Sequence, residues 1–219
     1  MASPPAVVAS GVLQTNRFRP RPLTTASLLR AVVRRVTTFL QRRIDRRRET
    51  QRMLAVRANP ADLQALLSSA AGILVICYGN IIRSACAARM IADALGDAPI
   101  AVRSAGIEAV EGRPSHPIAI TVGRQRGLDL SSHVATPLHA EAIRNADVIL
   151  VMEIDHLVSI ARRFPGARAK TFLLTCCSPD VALEVGDPVD GDEAVFQQCF
   201  DQIASAVHPI IRTLSARVR

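Results

Sequence analysis

The stretch that most constrains the fold of this chain is residues 73–84, where a short apolar run leads into a turn and then a helix. The run of residues 73–76 is continuous rather than alternating, which is typical of a strand buried on both faces of a parallel sheet. Gly79 and Asn80 follow, and both residue types tolerate left-handed backbone angles, so the turn can point several amide N–H groups inward. From Ser84 the pattern predicts a helix that ends at Gly96. The stretch therefore predicts an anion-binding loop between a strand and a helix N-terminus.

Cys77 lies at the end of that strand, and Arg83 and Ser84 lie at the start of the helix. The thiolate is the reactive form of cysteine, and loop amides, a helix N-terminus and an arginine all stabilise negative charge. Arg83 can bind two phosphoryl oxygens at once, and the Ser84 hydroxyl can donate a hydrogen bond to the thiolate. The spacing predicts attack by Cys77 on a phosphate ester. The alternative is a small buried residue at a strand end, which is the commoner role of a free cysteine.

Residues 77–84 resemble the phosphate-binding loop of the low-molecular-weight protein tyrosine phosphatases, and the similarity extends from about Ile73 to Leu214. The family's further motifs follow in the family's order: Ser104-Ala105-Gly106, Gly112-Arg113-Pro114, Gly127-Leu128-Asp129 with Ser132-His133, residues 146–153, and Asp187-Pro188. The resemblance implies a metal-independent phosphatase that needs no cofactor and works through a cysteinyl-phosphate intermediate. It also implies a phosphotyrosine protein as substrate, and a bacterial tyrosine kinase fits that resemblance as a partner.

The resemblance assigns a role to each residue of the loop and to three residues outside it. Phosphate binding falls to Tyr78, Gly79, Asn80, Ile81, Ile82, Arg83 and Ser84. Asp187, which Pro188 holds in an extended loop, matches the general acid that protonates the leaving group and then acts as a base toward water. Asn80, Ser104 and His133 match positions that hydrogen-bond one another and hold the shape of the loop, while Ser84 assists the thiolate. An Asp-Pro dipeptide by itself is usually only a turn.

Three departures from the family pattern bear on function. Ile82 stands where many members carry a second cysteine, so a protective disulfide with Cys77 is not expected. Ala85 replaces a proline, which should matter little. Val189 and Asp190 stand where the family usually has an aromatic residue, and Tyr78 is the only tyrosine in the chain. The wall that stacks on a substrate ring is therefore expected to be thin.

The rest of the chain from residue 61 alternates helical and strand patterns. Strands are predicted at residues 100–103, 147–152 and 171–174, and helices at residues 61–70, 117–127, 155–164 and 192–214. This alternation predicts an α/β fold with a four-stranded parallel sheet, helices on both faces, and ligands at the carboxyl ends of the strands. Cys77 falls at that edge.

Residues 1–60 differ sharply from the rest in charge. They hold 13 Arg and no Lys against Asp45 and Glu49, a net charge of +11, whereas residues 61–219 sum to −3. Residues 1–24 have no periodicity, which predicts disorder. Residues 27–57 have apolar positions at three- and four-residue steps with arginines between them, which predicts a basic amphipathic helix. We therefore predict an extension over residues 1–60 and a phosphatase domain over residues 61–219.

A basic amphipathic helix can lie on an anionic membrane, bind a partner or contact nucleic acid, of which we favour the membrane. The alternative is a helix packed on its own catalytic domain. No apolar run reaches the length of a bilayer span, and a signal peptide is not indicated, although an arginine-rich start also resembles a mitochondrial transit peptide. The protein is expected to be cytoplasmic and to bind peripherally to the membrane.

The five cysteines favour a reducing compartment, because their number is odd and the chain is long for a disulfide scaffold. The His and Cys residues are not clustered at the spacing of metal ligands, so no metal site is expected. A rival class with the same loop is the thiol-dependent arsenate reductase, but residues 150–153 lack the relay cysteine that this chemistry needs. A non-catalytic phosphate-binding or membrane-anchoring module is a third class, against which Cys77, Arg83 and Asp187 argue.

Overall fold

The computed structural model describes residues 25–216, with side chains given for residue 30 and from residue 32 onward. The disorder predicted for residues 1–24 lies outside the described residues. Within the described range the α-helices are Thr25–Ala58 (α1), Ala61–Ser69 (α2), Arg83–Leu95 (α3), Pro117–Gln125 (α4), Ala140–Asn145 (α5), Ile154–Arg163 (α6) and Glu193–Ala216 (α7). The strands are Gly72–Cys77 (β1), Ala101–Gly106 (β2), Val148–Val151 (β3) and Thr171–Leu173 (β4). Short 3₁₀ turns, Pro165–Lys170 and Leu174–Cys177, flank β4.

The four strands form one parallel sheet in the order β2-β1-β3-β4. β1 and β3 occupy the centre, and every residue of β3 is buried, which explains their continuous apolar runs. The predicted α/β fold with a four-stranded parallel sheet is confirmed.

The strand order also fixes where the helices lie. The connection through α3 runs from β1 to β2, toward one edge of the sheet. The connection through α6 runs from β3 to β4, toward the opposite edge. Because such crossovers are right-handed, the two helices cover opposite faces. The direction of winding therefore changes between β1 and β3, and in sheets of this kind ligands bind at the carboxyl edge beside that change. Cys77 ends β1 at this point.

The helix of the basic extension is one continuous element, but the chain divides into two compact units within it, between Leu40 and Gln41. In the second unit, residues 41–58 pack with the rest of that unit: Met53 is fully buried, and its sulfur accepts a hydrogen bond from the Leu173 amide at 3.3 Å. The observed unit thus begins 20 residues before the predicted boundary at residue 61, because one side of this half of α1 is part of the hydrophobic core.

The other predicted elements differ from the structure by a few residues at their ends, and α5 was not predicted. Among the described residues, no helix is long and apolar enough to cross a bilayer.

Candidate active site

The loop of residues 77–84 joins the end of β1 to the first turn of α3, and its polar side chains are buried. The exposed fractions of Asn80, Arg83 and Ser84 are 0%, 1% and 0%. Buried polar groups are costly unless they are hydrogen-bonded, so the contacts of these side chains fix the shape of the loop.

The Cys77 thiol lies within a short hydrogen-bond network. Its Sγ is 3.0 Å from the Ser84 hydroxyl and accepts a hydrogen bond from the Asn80 amide at 3.2 Å. The Asn80 side-chain amide donates to the same Ser84 oxygen at 2.8 Å. Ser84 has only one proton to donate, and Sγ lies nearer than the Ala105 carbonyl, which is 3.5 Å away. When Cys77 is a thiolate, the network therefore directs two donors, the Asn80 amide and the Ser84 hydroxyl, at the sulfur.

Asn80 ties the loop to its surroundings. Its φ is 55°, a left-handed conformation that few residues other than glycine adopt. Its side-chain oxygen accepts a hydrogen bond from the Thr136 amide at 2.9 Å, and its carbonyl accepts one from His133 Nε2 at 2.8 Å. Side-chain and backbone contacts on two sides thus stabilise a strained turn.

Gly106, at the end of β2, allows the loop to approach the sheet closely. A Cβ at this position would lie 2.7 Å from the Tyr78 carbonyl oxygen and 2.9 Å from the Asn80 nitrogen. Both are backbone atoms that cannot rotate away, so any larger residue at position 106 must displace the loop.

The structure places Ser104 differently from the expected Asn80, Ser104 and His133 network. Ser104 is paired in register with Val75, two residues before Cys77, so it lies below the loop, where it lines a small cavity together with His133. The hydroxyl that hydrogen-bonds the Asn80 side chain is that of Ser84. Asn80 and His133 are brought together as expected.

Arg83 joins the loop to two carboxylates from distant parts of the chain. Its Nη2 pairs with Asp187, its Nη1 pairs with Glu153, and Nη1 also donates to the Val185 carbonyl at 2.9 Å. Burial alone would lower the pKa of this guanidinium, but Cys77, Asp187 and Glu153 outweigh that effect and raise it. Arg83 is therefore a permanent cation, buried among three anionic or ionisable partners.

Sequence reasoning did not identify Glu153 as a site residue, although a signal was present. It follows β3 directly, at the same carboxyl edge of the sheet as Cys77, and an acidic residue there can reach a group bound at that edge.

Two adjoining cavities meet at Arg83 and Asp187. The first, of about 240 Å³, is lined by Cys77, the loop and Val189. The second, of about 480 Å³, shares Tyr78, Arg83, Glu108 and Asp187 and adds Glu153, Asp155 and Arg42 from α1. Among the described residues that line these cavities, Tyr78 and His156 are the only aromatic ones. Few aromatic side chains are therefore available to stack on a substrate ring, as expected from the sequence.

The four other cysteines have surroundings unlike those of Cys77. Burial raises the pKa of Cys176 and Cys199 to about 12 and that of Cys177 to about 11, and it raises the pKa of Cys86 well above its ordinary value. All five cysteines are free. The described residues contain no group of three His, Cys, Asp or Glu side chains that could hold a metal ion.

Comparisons with known proteins agree with this geometry. The family model described as low molecular weight phosphotyrosine protein phosphatase matches residues 72–219. The probable low molecular weight protein-tyrosine-phosphatase AmsI of Erwinia amylovora is 34% identical over 143 residues, which cover 65% of this chain and 96% of that protein.

Solved structures give the same picture. The crystal structure of AmsI matches with a TM-score of 0.62 and 32% identity, covering 67% of this chain and 94% of that one. The tyrosine phosphatase Wzb from Escherichia coli K30 matches with a TM-score of 0.61 and 32% identity, covering 65% and 97%. The YwlE arginine phosphatase from Geobacillus stearothermophilus matches with a TM-score of 0.62 and 29% identity, covering 66% and 93%.

Proposed function

Because the chain belongs to the low molecular weight phosphotyrosine protein phosphatase family, we propose a role for each side chain around Cys77 in the hydrolysis of a phosphate monoester. The chain is a phosphatase that acts through a cysteinyl-phosphate intermediate. The observation that carries the assignment is the pair of donors directed at Cys77 Sγ, beside a buried Arg83.

In the first step the Cys77 thiolate attacks phosphorus. A sulfur–phosphorus bond forms, the bond from phosphorus to the leaving oxygen breaks, and its electron pair stays on that oxygen. Asp187 gives the oxygen a proton. The loop amides and Arg83 bind the remaining phosphoryl oxygens, since an arginine can bind two of them at once.

Asp187 has to leave its ion pair with Arg83 and take up a proton from solvent before it can do this. A phosphoryl dianion competes for the same Nη2 group, so substrate binding favours that exchange, while Glu153 and the Val185 carbonyl keep Nη1 oriented. In the second step Asp187 takes a proton from the water that attacks phosphorus, and the Ser84 hydroxyl stabilises the departing thiolate.

We propose a phosphotyrosine protein as the physiological substrate, with a bacterial tyrosine kinase as the first candidate. The support is that two of the relatives named above, AmsI and Wzb, are bacterial tyrosine phosphatases. The free cysteines support a reducing compartment, the cytoplasm, as the place of action.

The decisive assay compares a phosphotyrosine peptide, a small aryl phosphate and a phosphoarginine peptide, because one matching structure is described as an arginine phosphatase. We expect hydrolysis of the first two, and none by Cys77→Ser. Preference for phosphoarginine would overturn the substrate assignment, and phosphate binding without turnover would mean a binding module. Thiol-dependent arsenate reduction by the wild-type chain would indicate the rival enzyme class.

We also propose that residues 61–219 carry all of the chemistry, because Cys77, Arg83 and Asp187 lie within them. A fragment of residues 61–219 should therefore turn over substrate, but at a lower unfolding midpoint than residues 41–219, since it lacks Met53. An inactive but folded fragment would mean that α1 supplies a group that the reaction cannot do without.

The exposed side of α1 supports a second proposal, that the protein lies peripherally on an anionic membrane. Six apolar side chains at helical spacing are 45–58% exposed: Val32, Val33, Val36, Phe39, Leu40 and Ile44. Arginines interrupt the stripe and flank it, at positions that include 34, 35, 42 and 43. An apolar stripe bordered by cations is what an interfacial helix needs, and each arginine near an anionic surface adds about 1 kcal/mol.

Vesicle binding tests this proposal. The full chain should bind vesicles with anionic lipid, bind less as salt is added, and ignore vesicles of neutral lipid. Val32→Glu with Val36→Glu should abolish binding, whereas Thr38→Glu with Gln41→Glu, which changes the net charge equally on the opposite side of the helix, should only weaken it. Equal losses, or tighter binding to duplex DNA at the same ionic strength, would contradict the membrane proposal.

A further inference from the structure

Residues 41–58 of α1 are attached to the catalytic domain by specific polar contacts as well as by Met53. Glu49 is 4% exposed and pairs with both Arg52 and Arg168 at 2.7 and 2.6 Å. Arg57, one residue before the end of the helix, donates to the Ser178 carbonyl at 2.7 Å. This half of α1 is therefore held in one orientation, which gives its other side chains fixed positions.

Arg46 uses that fixed position to bridge two acidic residues. Its Nη1 lies 3.1 Å from Asp155 and its Nη2 lies 2.8 Å from Glu184. The second carboxylate oxygen of Glu184 accepts a hydrogen bond from the Ile154 amide at 2.7 Å. One guanidinium and one carboxylate thus join α1, the first turn of α6 and the segment that begins at Glu184.

Both segments lead directly to the carboxylates that pair with Arg83. Glu184 is three residues before Asp187, and Asp155 is two residues after Glu153. Val185, the residue after Glu184, links the two segments. Its amide donates to the Met152 carbonyl at 2.9 Å, and its carbonyl accepts from Arg83 at 2.9 Å. A shift of Glu184 would therefore be transmitted through Val185 to both Asp187 and Arg83.

Without a cation between them, the carboxylates of Asp155 and Glu184 would repel each other, because one guanidinium now contacts both. Asp155 would keep its ion pair with Arg42 at 3.5 Å, whereas Glu184, which is partly exposed, would turn toward solvent and its hydrogen bond to Ile154 would weaken. Removing Arg46 should therefore loosen the segment of Asp187 while leaving the loop around Cys77 intact.

We infer that Arg46 is a positioning residue, which orients the Asp187 segment for proton transfer to the leaving group. The inference rests on the proposed role of Asp187. Arg46 would thus give the basic extension a role in catalysis, separate from phosphate binding and from membrane attachment.

The test uses the full chain and a series of aryl phosphates whose leaving groups differ in basicity. Arg46→Ala should lower kcat/KM by roughly fivefold for the most basic leaving groups, the scale of two partly exposed ion pairs, and leave it unchanged for activated ones. Arg47→Ala, an exposed arginine next in the same helix, is the matched control and should behave as wild type. For Arg46→Lys, kcat/KM should lie between those of Arg46→Ala and the wild type, since an ammonium cannot bind both carboxylates with the geometry of a guanidinium.

A double variant separates positioning from general damage. Glu184→Gln keeps the acceptor for Ile154 but removes the repulsion, so Arg46→Ala with Glu184→Gln should lose less activity than Arg46→Ala alone. A uniform loss across the series, or no loss relative to Arg47→Ala, would overturn the inference. Asp187→Ala in the same series shows which of the two roles is wrong. If Asp187→Ala changes the dependence on leaving-group basicity and Arg46→Ala does not, only the role of Arg46 is wrong. If neither variant changes that dependence, the acid role of Asp187 is wrong as well.

Discussion

The loop of residues 77–84 and the segment of residues 184–189 meet at Arg83, but contacts of different kinds hold them. In the loop the side chains of Asn80, Arg83 and Ser84 are buried, and the groups that contact the thiol, at Asn80 and Ser84, are supported by residues 105–106 and 133–136. The side chains of Glu184 and Asp187 are 30% and 37% exposed, and ion pairs with residues as far along the chain as Arg46 hold them. Exposed ion pairs are weak and are screened by salt, whereas buried hydrogen bonds are not. The phosphate-binding half of the site should therefore be rigid, and the proton-transferring half adjustable.

The largest expected effect comes from changing the loop at its proposed nucleophile, Cys77. Cys77→Ser should lower kcat by on the order of a thousandfold or more, because a serine hydroxyl is not ionised by this loop near neutral pH. Phosphate binding and the unfolding midpoint should change little, since Ser84 and Asn80 can still hydrogen-bond the new hydroxyl. Retention of more than a few per cent of the activity would mean that Cys77 is not the nucleophile.

Breaking the other half should give a smaller loss that depends on the substrate. Asp187→Ala should lower kcat/KM about a hundredfold for leaving groups of high pKa and far less for activated ones, because only the former need a full proton. Asp190→Ala, an exposed carboxylate on the same loop, is the matched control. A loss that is the same for every leaving group would show that Asp187 only shapes the site.

The contrast between the two halves also explains what could be predicted from the sequence. Cys77, Arg83, Ser84 and Asn80 were predictable because they lie in one stretch, residues 77–84, between a strand pattern and a helix pattern, and because glycine and asparagine mark the turn. The four-stranded parallel sheet followed from the continuous apolar runs.

The residues that were not predicted depend on distant parts of the chain. Arg46 lies among many arginines with nothing local to distinguish it, and its partner Glu184 is 138 residues away. The start of the compact unit at Gln41 could not be read from the sequence for a similar reason, because apolar residues at three- and four-residue steps do not show which side of α1 meets the core. Ser104 was placed in the wrong hydrogen-bond network, since strand register decides its height relative to the loop.

A third prediction tests the rigidity of the loop without touching a reacting group. Gly106→Ala should lower kcat/KM by roughly tenfold to a hundredfold, because its Cβ would push on backbone atoms of Tyr78 and Asn80, and displacements of about 1 Å at a site can cost that much. The loss should be similar for all leaving groups, unlike that of Asp187→Ala. Gly166→Ala, where a Cβ would meet nothing within 4 Å, is the control, and equal behaviour of the two variants would mean that the loop can give way.

The smallest effect concerns the pH dependence of stability on the side of the site that Arg46 contacts. His156, in the first turn of α6, is 4% exposed, and burial, with a smaller contribution from Arg83, lowers its pKa from 6.5 to about 4 against the opposing effect of Glu153 and Asp155. Between these values the unfolded chain binds a proton that the folded chain does not, so the free energy of unfolding must fall as the pH falls through this window. From pH 6.5 to about 5.5 the loss should be about 1 kcal/mol in urea unfolding, and His156→Gln should remove that part of the slope, whereas His139→Gln, at an exposed position, should keep it. A slope that is unchanged in His156→Gln would mean that this histidine is protonated in the folded protein, and that the adjustable half of the site is more open to solvent than its burial indicates.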